Sequence, residues 1–202
     1  KIFCIGRNYA DHAKELGNNV PTKPLVFSKF QTSLLKNDFP FFYPNHSKCI
    51  QHELELVIRI CKNGKGVQEK FAHKYYDAIA LGIDLTARDV QSQLKEKGHP
   101  WEIAKGFDHS APISEFVPFS SLKNKKNINF SLEINGELKQ EGFSKHMIFS
   151  FDNLISYLSQ YFLLQMGDMI FTGTPAGVGE IKIGDELVAK LEGKQMMCFE
   201  VK

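Results

Sequence analysis

Residues 52–56 read His-Glu-Leu-Glu-Leu. They place two carboxylates, Glu53 and Glu55, in a run that otherwise has the character of a buried strand, through Leu54, Leu56, Val57, Ile58 and Ile60. Side chains alternate along a strand, so Leu54, Leu56, Ile58 and Ile60 fall on one face while Glu53, Glu55 and Val57 share the other. Two acids on one face at a spacing of about 7 Å repel one another unless a positive group lies between them. The plain alternative is the solvated outer face of an amphipathic strand. A third acid, Asp84, stands in "GIDLTARDVQ" (residues 82–91) between Ile83 and Leu85, where an unpaired carboxylate is costly to bury. Together the three could form an all-oxygen cluster suited to a hard divalent cation, Mg²⁺ or Mn²⁺ rather than zinc. Alone, Asp84 reads equally well as a turn or cap residue.

Other stretches carry further chemistry. In "GRNYADHAKELG" (residues 6–17), His12 and Glu15 stand three apart and share a face on a helical turn. A carboxylate beside an imidazole fixes its tautomer and raises its basicity, as a general base requires; a surface pair is the alternative. In "WEIAKGFDHSAP" (residues 101–112), Lys105 lies between apolar residues and a glycine, either snorkelling to the surface or held in a site as a cation. "FTGTPAGVG" (residues 171–179) is a glycine-rich turn after a strand and lacks the Gly-Lys-Ser/Thr of a phosphate loop, though its N–H groups and Thr174 can hold a small carboxylate. The chain has only three arginines, Arg7, Arg59 and Arg88, and two of them fall in these motifs. Arginine is the residue preferred for gripping carboxylates.

The elements that must position these groups are mainly strands, expected at Lys1 to Ile5, Leu25 to Phe30, Glu53 to Ile60, Ala80 to Leu85, Asn129 to Ile134, Met169 to Thr172 and Glu186 to Leu191. Asn135-Gly136 in "EINGELK" signals a hairpin turn. Helices are expected at Arg88 to Lys97 and at Phe151 to Leu164, the latter with Ser150 as N-cap and a stripe of Leu154, Ile155, Leu158 and Phe162. A weaker helical stretch runs from Glu69 to Ala78. Strands outnumber helices and do not alternate with them, which predicts a mixed, predominantly β domain of the α+β class with peripheral helices.

The 202 residues suit one domain, residues 1–202. A net charge of +2 without a basic stripe leaves no footprint for nucleic acid, and no apolar run has the length of a membrane span. "KIFCIGRNY" has no signal-peptide pattern, and Cys4, Cys49, Cys61 and Cys198 show no zinc spacing. A cytoplasmic protein with reduced, packed cysteines is expected.

In their order, "GRNYADHAKEL", "HELEL", "GIDLTARDVQ", "PWEIAKGFD" and "FTGTPAGVG" resemble the fumarylacetoacetate hydrolase family over nearly the whole chain, and most closely its small single-domain acylpyruvase and oxaloacetate decarboxylase branch. True fumarylacetoacetases carry a long additional N-terminal domain, and the single-domain organisation is expected here instead. The resemblance implies a mixed β-roll of the family's C-terminal-domain type, usually a homodimer. It implies Mg²⁺, with Mn²⁺ as an alternative, on Glu53, Glu55 and Asp84, a catalytic dyad of His12 and Glu15 on a mobile lid, Lys105 facing a developing enolate, and Arg88, Gln91 and Thr174 holding a small 2-oxo acid. The implied activity is cleavage of the bond between C3 and C4 through a pyruvate enolate, by acylpyruvate hydrolysis or oxaloacetate decarboxylation. An oxaloacetate keto-enol tautomerase and a 2-oxo acid hydratase or isomerase are the alternatives within the enzyme class. A non-catalytic metal and dicarboxylate binder is the alternative outside it. Gly106 departs from the serine that many members have in "AKSFD", next to Lys105.

Overall fold

The computed structural model describes residues 1–15, 17, 19–36 and 38–202. Leu16, within the motif that carries His12 and Glu15, lies outside the described residues. A six-stranded mixed sheet forms the centre, in the order Leu25–Lys29, Ile2–Gly6, Met169–Phe171, Leu54–Ile60, Tyr76–Ile83 and Val117–Pro118; only the Ile2–Gly6 and Met169–Phe171 pair is parallel. A four-stranded antiparallel sheet, in the order Glu137–Phe143, Asn129–Ile134, Glu186–Leu191 and Lys194–Glu200, covers one of its faces. The fold is α+β and predominantly β, as expected.

The period-two pattern explains the layering. Leu54, Leu56, Ile58 and Ile60 join Phe130, Leu132, Leu187, Ala189 and Phe199 in one large core between the two sheets. Val57 turns the other way, into a second, smaller cluster with Ile2, Cys4, Ala80, Ala111, Ile113 and Phe171. Glu53 and Glu55 share that second side, so the acids lie behind the sheet, away from the main core. Asn135 and Gly136, at φ 53° and 78°, make the expected hairpin turn.

Two helices form as expected, Arg88–Glu96 and Phe151–Tyr161, and Ser150 caps the second by accepting from the Asn153 N–H at 3.2 Å. The apolar stripe holds at Leu154, Ile155 and Leu158. It ends before Phe162, where the chain is already extended and the ring meets Phe3 with 5.1 Å between centroids. The helix expected over Glu69 to Ala78 stops after Glu69–Ala72, and from Tyr76 the chain is a strand paired to Leu54–Ile60. Long-range pairing has overridden the local propensity there. The final strand, Lys194–Glu200, was not among the expected runs.

Candidate active site

Glu53 and Glu55 enter the site from the start of the Leu54–Ile60 strand, and Asp84 from the turn that follows Tyr76–Ile83. Glu55 stands opposite Gly82 in the ladder, and the Asp84 N–H donates to the Glu53 carbonyl at 2.8 Å, so pairing alone brings the three acids together. One carboxylate oxygen from each lies within 4.8 Å of the others, and all three residues are buried.

The three acids are not equivalent. The Glu53 carboxylate accepts from Lys105 Nζ at 2.8 Å and from Arg88 Nη2 at 2.5 Å. Burial opposes its ionisation, but these two cations outweigh it and hold the carboxyl well below the ordinary carboxylate range. Glu55 accepts from the Gly173 N–H at 2.7 Å and, among the described residues, has no ion pair. Burial, with Asp84 nearby, pushes its carboxyl well up. Asp84 Oδ2 accepts from Lys105 Nζ at 2.7 Å. Lys29 Nζ stands 2.9 Å from Asp84 Oδ1, but off the hydrogen-bond direction, so that buried oxygen accepts no hydrogen bond. One acid without a cation and one orphaned carboxylate oxygen, converging with a third acid, make a donor set that fits a hard divalent ion.

Lys105 is buried and is a cation held in a site. Its third hydrogen bond goes to Thr86 Oγ1 at 2.6 Å, so all three ammonium protons are engaged. Burial works against its charge, yet Asp84 and Glu53 raise its pKa above the ordinary value. Gly106 follows directly. A Cβ there would stand 3.0 Å from the Glu102 carbonyl and 3.2 Å from the Phe30 ring, so in this chain Phe30 fills the space a serine would need.

His12 and Glu15 lie on the helix Ala10–Glu15, with Nδ1 and Oε2 3.3 Å apart. The Gly177 N–H, from the glycine-rich turn, donates to Glu15 Oε1 at 3.1 Å. Asn8 ties this segment down: its amide donates to the Phe149 and Thr172 carbonyls at 3.0 and 2.7 Å and accepts from the Phe149 N–H at 2.7 Å. Gly173, at φ 100°, is a glycine by necessity, since a Cβ would stand 2.6 Å from Asn8 Cβ. Its close approach is what delivers its N–H to Glu55.

One small cavity is lined by His12, Glu53, Glu55, Arg88, Gln91, Lys105 and Thr174, together with Arg7, Lys95, Phe27 and Trp101. Of the nine expected site residues, Asp84 and Glu15 stand just behind that lining, each bonded to a residue that forms it. Arg88 holds Gln51 and Gln91 at 2.6 Å each as well as Glu53, so much of its fork is committed within the protein.

Two residues that frame the site carried no signal in the sequence. Lys29 is buried, and its three ammonium protons are shared among four acceptors, the Leu85 carbonyl at 3.3 Å, the Ser110 carbonyl and hydroxyl at 3.0 Å each, and the Lys105 carbonyl, pinning the Lys105 turn to the Asp84 turn. Gln140 donates to Thr174 Oγ1 at 2.8 Å and accepts from the Leu54 N–H at 3.0 Å. It is buried because a bulge beside Lys139 shifts the hairpin register, which turns Leu138 outward instead.

These observations agree with comparison to known proteins. The fumarylacetoacetate (FAA) hydrolase C-terminal family model matches residues 1–202. The mitochondrial oxaloacetate tautomerase of Bos taurus is 43% identical over 200 residues, covering 99% of this chain and 90% of its own. A mitochondrial oxaloacetate decarboxylase of Dictyostelium discoideum is 42% identical over 194 residues, covering 96% and 89%. The crystal structure of fumarylpyruvate hydrolase from Pseudomonas aeruginosa, in complex with Mn²⁺ and pyruvate, superimposes with a TM-score of 0.94 at 35% identity, covering 99% of this chain and 88% of the other. With the family's pattern running from residue 1 to residue 202 and a solved relative superimposing on nearly all of it, the chain belongs to the fumarylacetoacetate hydrolase family.

Proposed function

We propose that residues 1–202 form one catalytic domain that breaks the bond between C3 and C4 of a small 2-oxo acid, with Mg²⁺ or Mn²⁺ held by Glu53, Glu55 and Asp84. The observation that carries this reading is the joining, in one cavity, of a buried three-carboxylate cluster with a histidine that has its own carboxylate partner. A pure binder needs the first and has no use for the second. A divalent ion held by these three carboxylates would supply Lewis-acid chemistry, drawing electrons from C2 of the substrate.

The side chains supply the rest. Glu15 faces His12 Nδ1 and so favours the tautomer that leaves Nε2 free to take a proton. On an acylpyruvate, His12 removes a proton from water as it adds to the C4 carbonyl; the adduct then collapses, C4 leaves as a carboxylic acid, and the C3–C4 electron pair passes to C3, which takes the proton back from His12. On oxaloacetate no nucleophile is needed, and CO₂ leaves with the same electron pair passing to C3. The Lys105 ammonium provides positive charge beside the cluster, where it favours the enolate. Its three protons are already engaged, so it acts on the substrate as a charge unless one bond is exchanged. Gln91 and Thr174 orient the substrate, and Arg88 mainly fixes Glu53.

A second reading is keto-enol tautomerisation of oxaloacetate, in which His12 moves a proton at C3 and no bond between carbons breaks. The same dyad serves it, and the bovine relative bears that activity in its name. The two are separated by following, on purified protein with Mg²⁺ or Mn²⁺, the decay of enol oxaloacetate alongside pyruvate release from oxaloacetate and from acetylpyruvate. Activity that survives EDTA would sink the metal assignment, and enol decay without pyruvate would favour the tautomerase. The proposal extends to a homodimer. Four free thiols fit a reducing compartment, the cytoplasm or, as for the bovine relative, the mitochondrion.

A further inference from the structure

His52 opens the His-Glu-Leu-Glu-Leu motif, yet the proposed chemistry gives it no task. It is buried, and its Nδ1 stands 2.8 Å from Gln140 Oε1. Gln140, equally buried, reaches from the bulged hairpin strand to the turn that carries Thr174. That turn is pressed against the strand: a Cβ at Gly177 would collide with the Lys139 carbonyl, so only a glycine lets the two segments meet.

Two backbone groups settle which way the protons in this network point, because an N–H only donates and a carbonyl only accepts. The Leu54 N–H, at 3.0 Å, fixes one end of the Gln140 amide as its oxygen, and the Pro175 carbonyl, at 3.0 Å, fixes the other end as its nitrogen. With Oε1 so placed, His52 meets it as a donor through a proton on Nδ1, in either charge state of the ring. The second amide proton of Gln140 goes to Thr174 Oγ1 at 2.8 Å. Thr174 therefore accepts on its protein side. Among the described residues the acceptor left for its own proton is the Pro175 carbonyl, 3.5 Å away and at the limit of a hydrogen bond, whereas the cavity lies open beside it.

We infer that Gln140, held by His52, is a positioning residue that makes Thr174 a hydrogen-bond donor to the substrate carboxylate. This inference rests on the 2-oxo acid function proposed above. A carboxylate only accepts, so a threonine whose proton was drawn to an acceptor behind it would turn a lone pair toward the substrate and repel it. Gln140 removes that alternative by donating to the hydroxyl oxygen from behind, and His52, with the Leu54 N–H, keeps the amide from turning over. Donation from a hydroxyl to a charged acceptor contributes about tenfold or more in affinity. His52 thus acts through two other side chains and touches neither substrate nor metal.

The test is a double-mutant cycle read by calorimetry of pyruvate binding to the Mn²⁺-loaded protein. Thr174→Val should weaken pyruvate by about tenfold, and Thr174→Ser should retain most of the affinity. Gln140→Met, similar in length and without a donor, should weaken pyruvate by about three- to tenfold in the wild type but by less than about twofold in the Thr174→Val background, with Mn²⁺ affinity unchanged. In turnover the loss should fall on KM more than on kcat, since the carboxylate is held alike before and during reaction. His52→Asn, whose amide nitrogen can stand in for Nδ1, should keep the affinity for pyruvate while His52→Leu loses part of it, and this pair decides the matter if Gln140→Met does not fold. Equal weakening by Gln140→Met in both backgrounds, a loss of Mn²⁺ affinity that accounts for the weakening, or His52→Leu binding pyruvate as well as His52→Asn would overturn the positioning role. A non-additive cycle in a protein that turns over no 2-oxo acid would support the role and overturn the catalytic reading instead, and a wild type that binds no pyruvate would overturn both.

Discussion

Exchanging each of the two strand acids for its neutral isostere should move the metal-free protein in opposite directions. Glu53→Gln removes the partner of two buried or half-buried cations, Lys105 at 2.8 Å and Arg88 at 2.5 Å. Breaking a buried pair from one side costs about 3–5 kcal/mol, because the remaining charge is left uncompensated. Glu55→Gln leaves no cation behind, and the new amide oxygen can still accept the Gly173 N–H. Its effect should lie within about 1 kcal/mol of zero, on the stabilising side, since an unpaired buried charge is removed. The pH dependence carries the same sign. Because the folded-state pKa of Glu55 is raised, its contribution is fully present below the ordinary carboxylate range and is lost as pH rises through the folded value. The difference in stability between Glu55→Gln and the wild type should therefore grow from acid toward neutral pH. Urea unfolding in EDTA measures both effects. Repeating it with Mn²⁺ at a hundred times its dissociation constant should add about 2.7 kcal/mol to the wild type and nothing to either variant. Equal destabilisation by the two substitutions in EDTA, or metal stabilisation retained in both, would refute the division of roles.

Three further outcomes are expected. His12→Ala should depress acetylpyruvate hydrolysis by about 10²–10⁴ and oxaloacetate decarboxylation far less, with Glu15→Gln following the same order more weakly; equal losses in kcat at saturating metal would instead assign the pair to closing or orienting the site. Lys29→Met should cost about 3–5 kcal/mol and weaken Mn²⁺ binding measured by calorimetry, because Asp84 loses its neighbour and the Lys105 turn loses its pin; unchanged metal affinity would leave Lys29 a role in folding alone. Gly82→Ala adds a methyl against the Phe171 ring and 2.8 Å from Val57 Cγ2, directly across from Glu55; it should cost about 1–3 kcal/mol in urea unfolding and lower metal affinity as well.

What the sequence made legible is what local rules determine. Alternation alone separates Leu54, Leu56, Ile58 and Ile60 from Glu53, Glu55 and Val57, and Asn135-Gly136 and Ser150 act within a few residues of themselves. The motifs quoted for the family resemblance held the nine expected residues that the fold then gathers. What was hidden depends on distant partners. Nothing in "LVFSKF" separates Lys29 from an ordinary edge-strand lysine, because its acceptors lie at Leu85, Lys105 and Ser110. Gln140 looks solvent-facing until the bulge beside Lys139 reverses the alternation. The helix expected over Glu69 to Ala78 fails after Ala72 because Tyr76–Ile83 has a better use as the partner of the acid-bearing strand.

That last exchange explains why the acids sit in a strand at all. A helix could present Glu53 and Glu55 only on different faces, since residues two apart do not face each other there. The strand puts both on one side, the ladder sets Gly82 opposite Glu55, and the turn after Ile83 returns Asp84 to the same point. Gly82 is small enough to let Phe171 and Val57 close over the sheet beside it, so the burial that unbalances Glu55 comes from the same ladder that aligns it. Lys105, Arg88 and Lys29 then offset the charge of Glu53 and Asp84 and leave Glu55 without a cation. The protein can fold around three converging acids because two are paired with cations and burial favours the protonated form of the third, so that a divalent ion taken up at the cluster would displace the Glu55 proton.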